Sequence, residues 1–279
     1  MTPYISVLQL TSAALWATNK AVVAELFACL PAQRPQLVLI PEAFSHFGAG
    51  EAQLGRYAEE LGKGDVQRTI ADLARKHGVW VVAGTIPMRS QNATDQRYGA
   101  ASLLFNDQGE QVARYNKIHL FDAAIADNTK QYTESAFTAP GQEIVVVNTP
   151  FGRLGMAVCY DLRFPELFRA MRSQGAEIIS LPSAFTKVTG AAHWEPLLRA
   201  RAIENQVYML APNQWGKHND GRETWGQSMI VDPWGEIIAQ QQEGVGVISA
   251  ALDLHKLQAI RAKMPVGQHN RFEVKFLEN

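Results

Sequence analysis

The sequence predicts a layered α/β protein built as a single domain over residues 1–279. Three observations carry that expectation. Short β-branched apolar runs alternate with helix-patterned segments along the chain. Several of the runs are apolar at successive positions, as in sheets covered on both faces. No Gly/Ser-rich linker, internal repeat or low-complexity tract interrupts the series.

The elements follow in order. YISVLQL is a strand, and ALWATNKAVVAELFACL is a helix with apolar residues three and four positions apart. QLVLIPEAF opens as a continuous apolar strand that stops at Pro41. DVQRTIADLARKHG is a helix, with Asp65 as its expected cap and Gly78 as its stop. VWVVAGTIPM, GAASLLFND and EQVARYNKIHLF are consecutive strands, with NDQGE supplying a turn. EIVVVNTPFGRLGMAVCYD holds two more, joined through TPFGR. The helix FPELFRAMRSQG, the strand EIISLPSAF, the helix AAHWEPLLRARAIENQ and the strand VYMLAPNQW come next. WGQSMIVDPWGEIIAQ is a hairpin turning at Asp232-Pro233-Trp234-Gly235.

Composition narrows the function classes. The 279 residues are 47% hydrophobic and 19% charged with a formal net charge of −1, the profile of a soluble globular protein. Such a balance gives no general attraction to nucleic acid or to an anionic membrane. No apolar run reaches the roughly 18–20 residues of a membrane span, and the first residues do not read as a signal peptide. Two cysteines, Cys29 and Cys159, make neither a disulfide framework nor a metal-ligand spacing. A cytoplasmic protein with free thiols is expected. Cys29, at helical spacing in ELFACL, reads as a core thiol.

Cys159 is different. It ends the apolar run LGMAV and precedes YDLRFPEL, where a helix begins near Pro165. A thiol at a strand-to-helix junction sits near N-terminal amides that favour thiolate and can hold an oxyanion. The bland alternative is a buried core cysteine. A nucleophile needs a base, and none of the seven histidines stands in a context that marks it as one. Glu42 offers another: a carboxylate at the end of an apolar strand, whose pKa burial would raise. Lys117, in ARYNKIHLFD, ends a strand among apolar residues and could serve as an oxyanion donor. Taken singly, the glutamate also reads as a loop residue and the lysine as a surface one.

Together, PEAF, YNKIHLFD and GMAVCYDLRFPEL resemble the three signature segments of the nitrilase superfamily of carbon–nitrogen hydrolases, in order and approximate spacing. The likeness extends from the first strand to DLHKLQAIRAKMPV. It implies a four-layer αββα sandwich, commonly paired into a homodimer through the helix after Cys159. It implies Glu42 as general base, Lys117 as oxyanion stabiliser and Cys159 as nucleophile. The backbone amide of Tyr160 would be a second oxyanion donor, and Glu134, in QYTESAF, a supporting carboxylate. No metal and no organic cofactor are implied, and the partner is a small-molecule amide.

RFPEL, PSAFTKVTGAAHWEPLLRARAIENQ, WGQSMIVDPWGEIIA and MPVGQH are most similar to the branch of deaminated glutathione amidases. A related branch, the ω-amidases, acts on α-ketoglutaramate. Both substrates carry one five-carbon acyl half that ends in an α-keto carboxylate. Arg163, four residues past Cys159, is the cation expected to meet that carboxylate. Phe185 and Thr189 fall on the loop that lines the acyl site in the resembling proteins, and His46 is a further pocket residue. The tail VGQHNRF departs from the more basic ending of that branch. A non-catalytic metabolite-binding dimer is the reading from another class, and the intact Glu42–Lys117–Cys159 set argues against it.

Overall fold

The computed structural model describes residues 2–90, 95–127 and 129–277. Two sheets dominate it. The first is built from β1 (Tyr4–Gln9), β2 (Gln36–Leu39), β3 (Trp80–Arg89), β4 (Tyr98–Phe105) and β5 (Gln111–Asn116). After the short pair β6 (Asp122–Ala124) and β7 (Gln131–Thr133), β8 (Thr138–Ala139) returns to lie beside β4. The second sheet holds β9 (Val145–Thr149), β10 (Gly152–Met156), β11 (Ile178–Ser180) and β12 (Tyr208–Ala211). A small hairpin of β13 (Trp215–Lys217) and β14 (Glu223–Trp225) stands apart, and β15 (Ser228–Val231) and β16 (Ile237–Gln241) complete the second sheet. The last strand, β17 (Gly246–Ala251), crosses back to pair antiparallel with β1. The orders are β17-β1-β2-β3-β4-β5 and β16-β15-β12-β11-β10-β9.

Each sheet has a parallel centre, β1-β2-β3 in one and β10-β11-β12 in the other, with antiparallel strands outside it. Successive residues of the central strands point to opposite faces, and here both faces are dry. Ile5, Val7, Leu37, Leu39 and Val82 enter a core shared with the second sheet, which supplies Leu154, Met156, Ile178 and Leu210. Leu8, Val38, Ile40, Val81 and Ala83 face the other way, against Val23 and Phe27 of α1 (Trp16–Ala28). After the short α2 (Glu51–Leu54), α3 (Asp65–His77) adds Ile70 and Leu73 to that outer core. On the far side, Phe168 and Met171 of α4 (Pro165–Ser173) and Trp194 and Leu198 of α5 (Lys187–Asn205) cover the second sheet. The four-layer αββα arrangement explains why the strands read as unbroken apolar runs. α6 (Leu254–Lys263) and α7 (Val266–His269) close the described chain.

Local chemistry moved some boundaries. Gly64, not Asp65, is the cap residue of α3. The first amides are taken by Glu59, which accepts from Val66 N at 2.7 Å and Gln67 N at 3.2 Å. Gly78 closes the helix in the left-handed conformation, as expected. α5 starts four residues before the expected segment, because the Thr186 hydroxyl accepts the Thr189 N–H and caps it. Gly190 in its first turn is required by contact, since a Cβ there would run into the Trp225 side chain. At the other end Arg169, Arg172 and Arg261 donate to the carbonyls of Glu204, Asn205 and Gln206, so three guanidinium groups satisfy the helix C-terminus. Cys29 is exposed at the end of α1, not a core thiol.

Both parallel centres deliver a chemical residue just past a strand end, where α/β sheets commonly place ligands. Glu42 follows β2 and Cys159 follows β10, while Lys117 directly follows β5. Gly84 of β3 lies against the Pro41 carbonyl oxygen, with no room for a Cβ. Gly84→Ala should therefore push the Pro41–Glu42 segment away. The expected outcome is a loss of about 1–3 kcal/mol in unfolding free energy together with lowered turnover. Thermal melting beside an activity assay checks it, and unchanged values in both would count against this packing.

Candidate active site

Glu42, Lys117 and Cys159 meet at one cavity, with room of about 100 Å³, between the 42–54 segment and the turn 218–224. They are 8%, 2% and 9% exposed, so the three groups are almost out of water. The Lys117 ammonium donates to Glu42 Oε1 at 2.8 Å and to both oxygens of Glu134, at 3.0 and 2.8 Å. Glu134 opens a short 3-10 turn (Glu134–Ala136) and also accepts the Phe121 N–H at 2.7 Å.

This geometry sets the protonation states. Burial alone would push Lys117 down, but Glu134 and Glu42 overcome it and hold the amine well above its ordinary value. It is a fixed cation. Burial pushes the Cys159 thiol well up and the Glu42 charge adds to this, while Lys117 and the Ala184 N–H pull the other way. The resting sulfur is therefore a thiol. Burial also raises Glu134, against the pull of Lys117.

The backbone around Glu42 and Cys159 is unusual. Cys159 has φ of 46° and Ala43, next to Glu42, has φ of 54°, both left-handed for residues with a Cβ. The Cys159 N–H donates to Pro182 O at 2.9 Å. The Ala43 N–H donates to Thr85 Oγ1 at 2.8 Å, and Gln214 Nε2 holds the Glu42 carbonyl at 2.9 Å. Tyr160 sits in the first turn of the 3-10 segment Cys159–Arg163, where an amide has no partner within the segment itself.

The other expected pocket residues divide. His46 lines the cavity, stacked on Tyr57 at 4.2 Å with Nδ1 3.1 Å from Ser45 Oγ. Burial lowers it to about 4, so it is neutral at neutral pH. It is the one histidine on the cavity wall among the described residues. Arg163 does not line the cavity: its guanidinium lies over the rings of Phe185 (5.4 Å) and Tyr160 (5.8 Å) and bonds His193 Nδ1. Phe185 packs on Trp194 in the core, and Thr189 lies inside the first turn of α5 and not on a loop. Neither lines the cavity, although Thr186, bonded to Thr189 through their hydroxyls, does.

The cation that does line it is Arg222, which the sequence reading missed. Asp220 (2.7 Å) and Glu51 (3.2 Å) hold its guanidinium, which also lies 4.7 Å over the Phe47 ring. Both carboxylates raise it above its ordinary value despite burial. Its context, KHNDGRETW, reads as a solvated turn and carries no local signal of burial. Among the described residues there is no acidic, His or Cys cluster suited to a metal ion, and no helix is long and apolar enough to cross a membrane.

A thiol, a carboxylate and a fixed ammonium on this four-layer scaffold define a carbon–nitrogen hydrolase. The chain belongs to that family, whose model matches residues 5–262. Its relatives narrow the description. The chain is 52% identical over 237 residues to the deaminated glutathione amidase of Yersinia enterocolitica, covering 85% of this chain and 82% of that protein. It is 41% identical over 271 residues to the deaminated glutathione amidase of Mus musculus, covering 96% and 83%. Among solved structures, Saccharomyces cerevisiae Nit3, a member of branch 10 of the nitrilase superfamily, matches with a TM-score of 0.86 at 29% identity over 97% of each chain.

The neutral His46 has a consequence for stability. The folded protein binds the His46 proton only near pH 4, whereas the unfolded imidazole takes it near 6.5. Between those values the unfolded state holds more protons, so this contribution to stability is full above 6.5 and lost as pH falls toward 4. His46→Asn should flatten the melting temperature against pH in that window. Parallel curves for the two proteins would show that His46 does not titrate this way.

Proposed function

We propose that the protein is a thiol amidase that hydrolyses deaminated glutathione to α-ketoglutarate and Cys-Gly. The observation that carries this reading is the buried Cys159 thiol beside a Glu42 carboxylate already bonded to the Lys117 ammonium, in a chain so similar to two deaminated glutathione amidases. Glu42 takes the thiol proton as Cys159 attacks the amide carbonyl. Lys117 and the Tyr160 amide hold the oxyanion, each donor worth about 3–4 kcal/mol. Glu42 returns the proton to the leaving amine, which departs and leaves a thioester. Water activated by the same carboxylate then releases the acid. Glu134 keeps Lys117 charged and in place. Arg222 takes the role foreseen for Arg163 and receives the carboxylate of the acyl chain, while Phe185 and Thr189 shape the wall from behind and His46 borders it as a neutral side chain. As in the resembling family, two copies pair into a homodimer.

Cys159→Ala and Glu42→Gln should each lower kcat by at least about 10²–10⁴-fold. Full turnover in either would remove the triad. The substrate is read from α-ketoglutarate release, comparing kcat/KM for deaminated glutathione and α-ketoglutaramate. A preference for the former of about tenfold, or ~1.4 kcal/mol of transition-state discrimination, supports the proposal. A preference for α-ketoglutaramate would make the protein an ω-amidase with the triad intact. Arg222→Met should raise KM for either acid by about tenfold or more while leaving kcat closer to its original value, the pattern of a lost carboxylate contact. An unchanged KM would return the role to another residue.

A further inference from the structure

Asp161 is a fully buried carboxylate that none of these steps uses. It lies two residues past Cys159 in the 3-10 turn and accepts four hydrogen bonds. Oδ2 accepts the Val158 N–H at 2.8 Å and the Tyr115 hydroxyl at 2.7 Å. Oδ1 accepts the His119 backbone N–H at 3.1 Å and faces the His119 ring at 2.7 Å, an arrangement that requires the proton on Nδ1. The partners fall in two groups. Val158 directly precedes the nucleophile, while Tyr115 and His119 stand two residues to either side of Lys117. His119 is itself fixed, stacked on Phe164 with centroids 3.7 Å apart and planes within 7°.

One carboxylate thus ties the strand end that carries the ammonium to the turn that carries the sulfur. Cys159 needs such a tie, because its left-handed backbone is unfavourable unless the surroundings over-determine it. The bond to Pro182 O restrains its own amide, and Asp161 restrains the amide before it.

We propose that Asp161 is a positioning residue for the reaction: by anchoring both segments it sets the place of the Cys159 sulfur relative to the Lys117 ammonium. The proposal rests on the Glu42–Lys117–Cys159 reading above. Asp161→Asn keeps the side-chain shape, yet whichever way the amide turns, its NH2 group faces a backbone N–H that can only donate, Val158 on one side or His119 on the other.

The test uses a Cys29→Ala background, so that Cys159 is the thiol being read. It measures kcat, KM, melting temperature and the rate of Cys159 alkylation by iodoacetamide, followed by mass spectrometry. In Asp161→Asn, kcat and the alkylation rate should fall together by about a hundredfold while KM stays within about threefold, since displacement of a reacting group by about 1 Å has that effect. Tyr115→Phe removes one of the four bonds and should shift both rates the same way by about threefold to tenfold. A folded Asp161→Asn protein with both rates within about threefold of its parent overturns the proposal, as does a rise in KM with alkylation unchanged. Should Asp161→Asn fail to fold, Tyr115→Phe decides, and unchanged alkylation there is equally fatal. Alkylation needs no substrate, so it separates this proposal from an error in the substrate, and turnover surviving in Cys159→Ala would instead remove the triad reading beneath it.

Discussion

The ammonium of Lys117, buried between Glu42 and Glu134, is the interaction on which the rest of the site depends. A lone ammonium taken out of water costs several kcal/mol, and a lone carboxylate costs no less. Here each is tolerated because the others are present: three bonds of 2.8–3.0 Å bind one cation to two anions. The cluster carries one negative charge in excess, and that excess defines its chemistry. Together with burial it keeps the nearby sulfur protonated at rest, and in the proposed mechanism it leaves one carboxylate to take the sulfur's proton when substrate arrives. In the proposed reaction, once the proton has moved to Glu42 the ammonium faces one carboxylate and one thiolate, and the net charge of the cluster is still one negative. The transfer thus adds no charge to the site, whereas a thiolate formed without it would sit against two anions.

Meeting that constraint shapes the fold around it. Glu42, Lys117, Glu134 and Cys159 come from four separated stretches of chain, and only the packing of two sheets face to face brings the end of β2, the end of β5 and the end of β10 to one cavity. The backbone bends to aim them. Left-handed residues at Ala43 and Cys159 cost on the order of 1–3 kcal/mol each, so each needs an external hold. Thr85, Gln214 and Pro182 supply it with side chains and carbonyls that have no chemical role of their own. A buried polar frame around a reactive centre is expected where the reacting atoms must stay within a fraction of an ångström.

How much of this was legible in the sequence depends on whether the signal was local. The strands were readable because burial on both faces leaves unbroken apolar runs, and Gly78 ended its helix by the usual left-handed route. Glu42, Lys117 and Cys159, which meet at the cavity, were singled out through neighbours that resemble a known family. What escaped depended on distant partners. Thr189 looked like a loop residue because the cap that starts α5 at Lys187 comes from Thr186, inside a stretch read as a loop. Arg163 looked right because it is near Cys159 in sequence. In space its guanidinium is already engaged by Tyr160, Phe185 and His193. Arg222 looked like a surface residue because its burial arises from contacts with Glu51 and Phe47, about 170 positions earlier.

The environment of Arg222 also says how an acid would be recognised. With Asp220 and Glu51 against it, the guanidinium presents little net positive charge at a distance, and the chain as a whole carries −1. Long-range steering of an anion is therefore weak. Two of its five N–H donors are committed to the two carboxylates, which leaves the fork able to bond a carboxylate that arrives in the right plane. Recognition of this kind acts at contact and depends on orientation, so it favours an acid whose carboxylate reaches Arg222 only when its amide carbon lies at Cys159. Under the proposed reading, the chain length between those two groups, more than the charge of the molecule, would decide which acids fit this cavity.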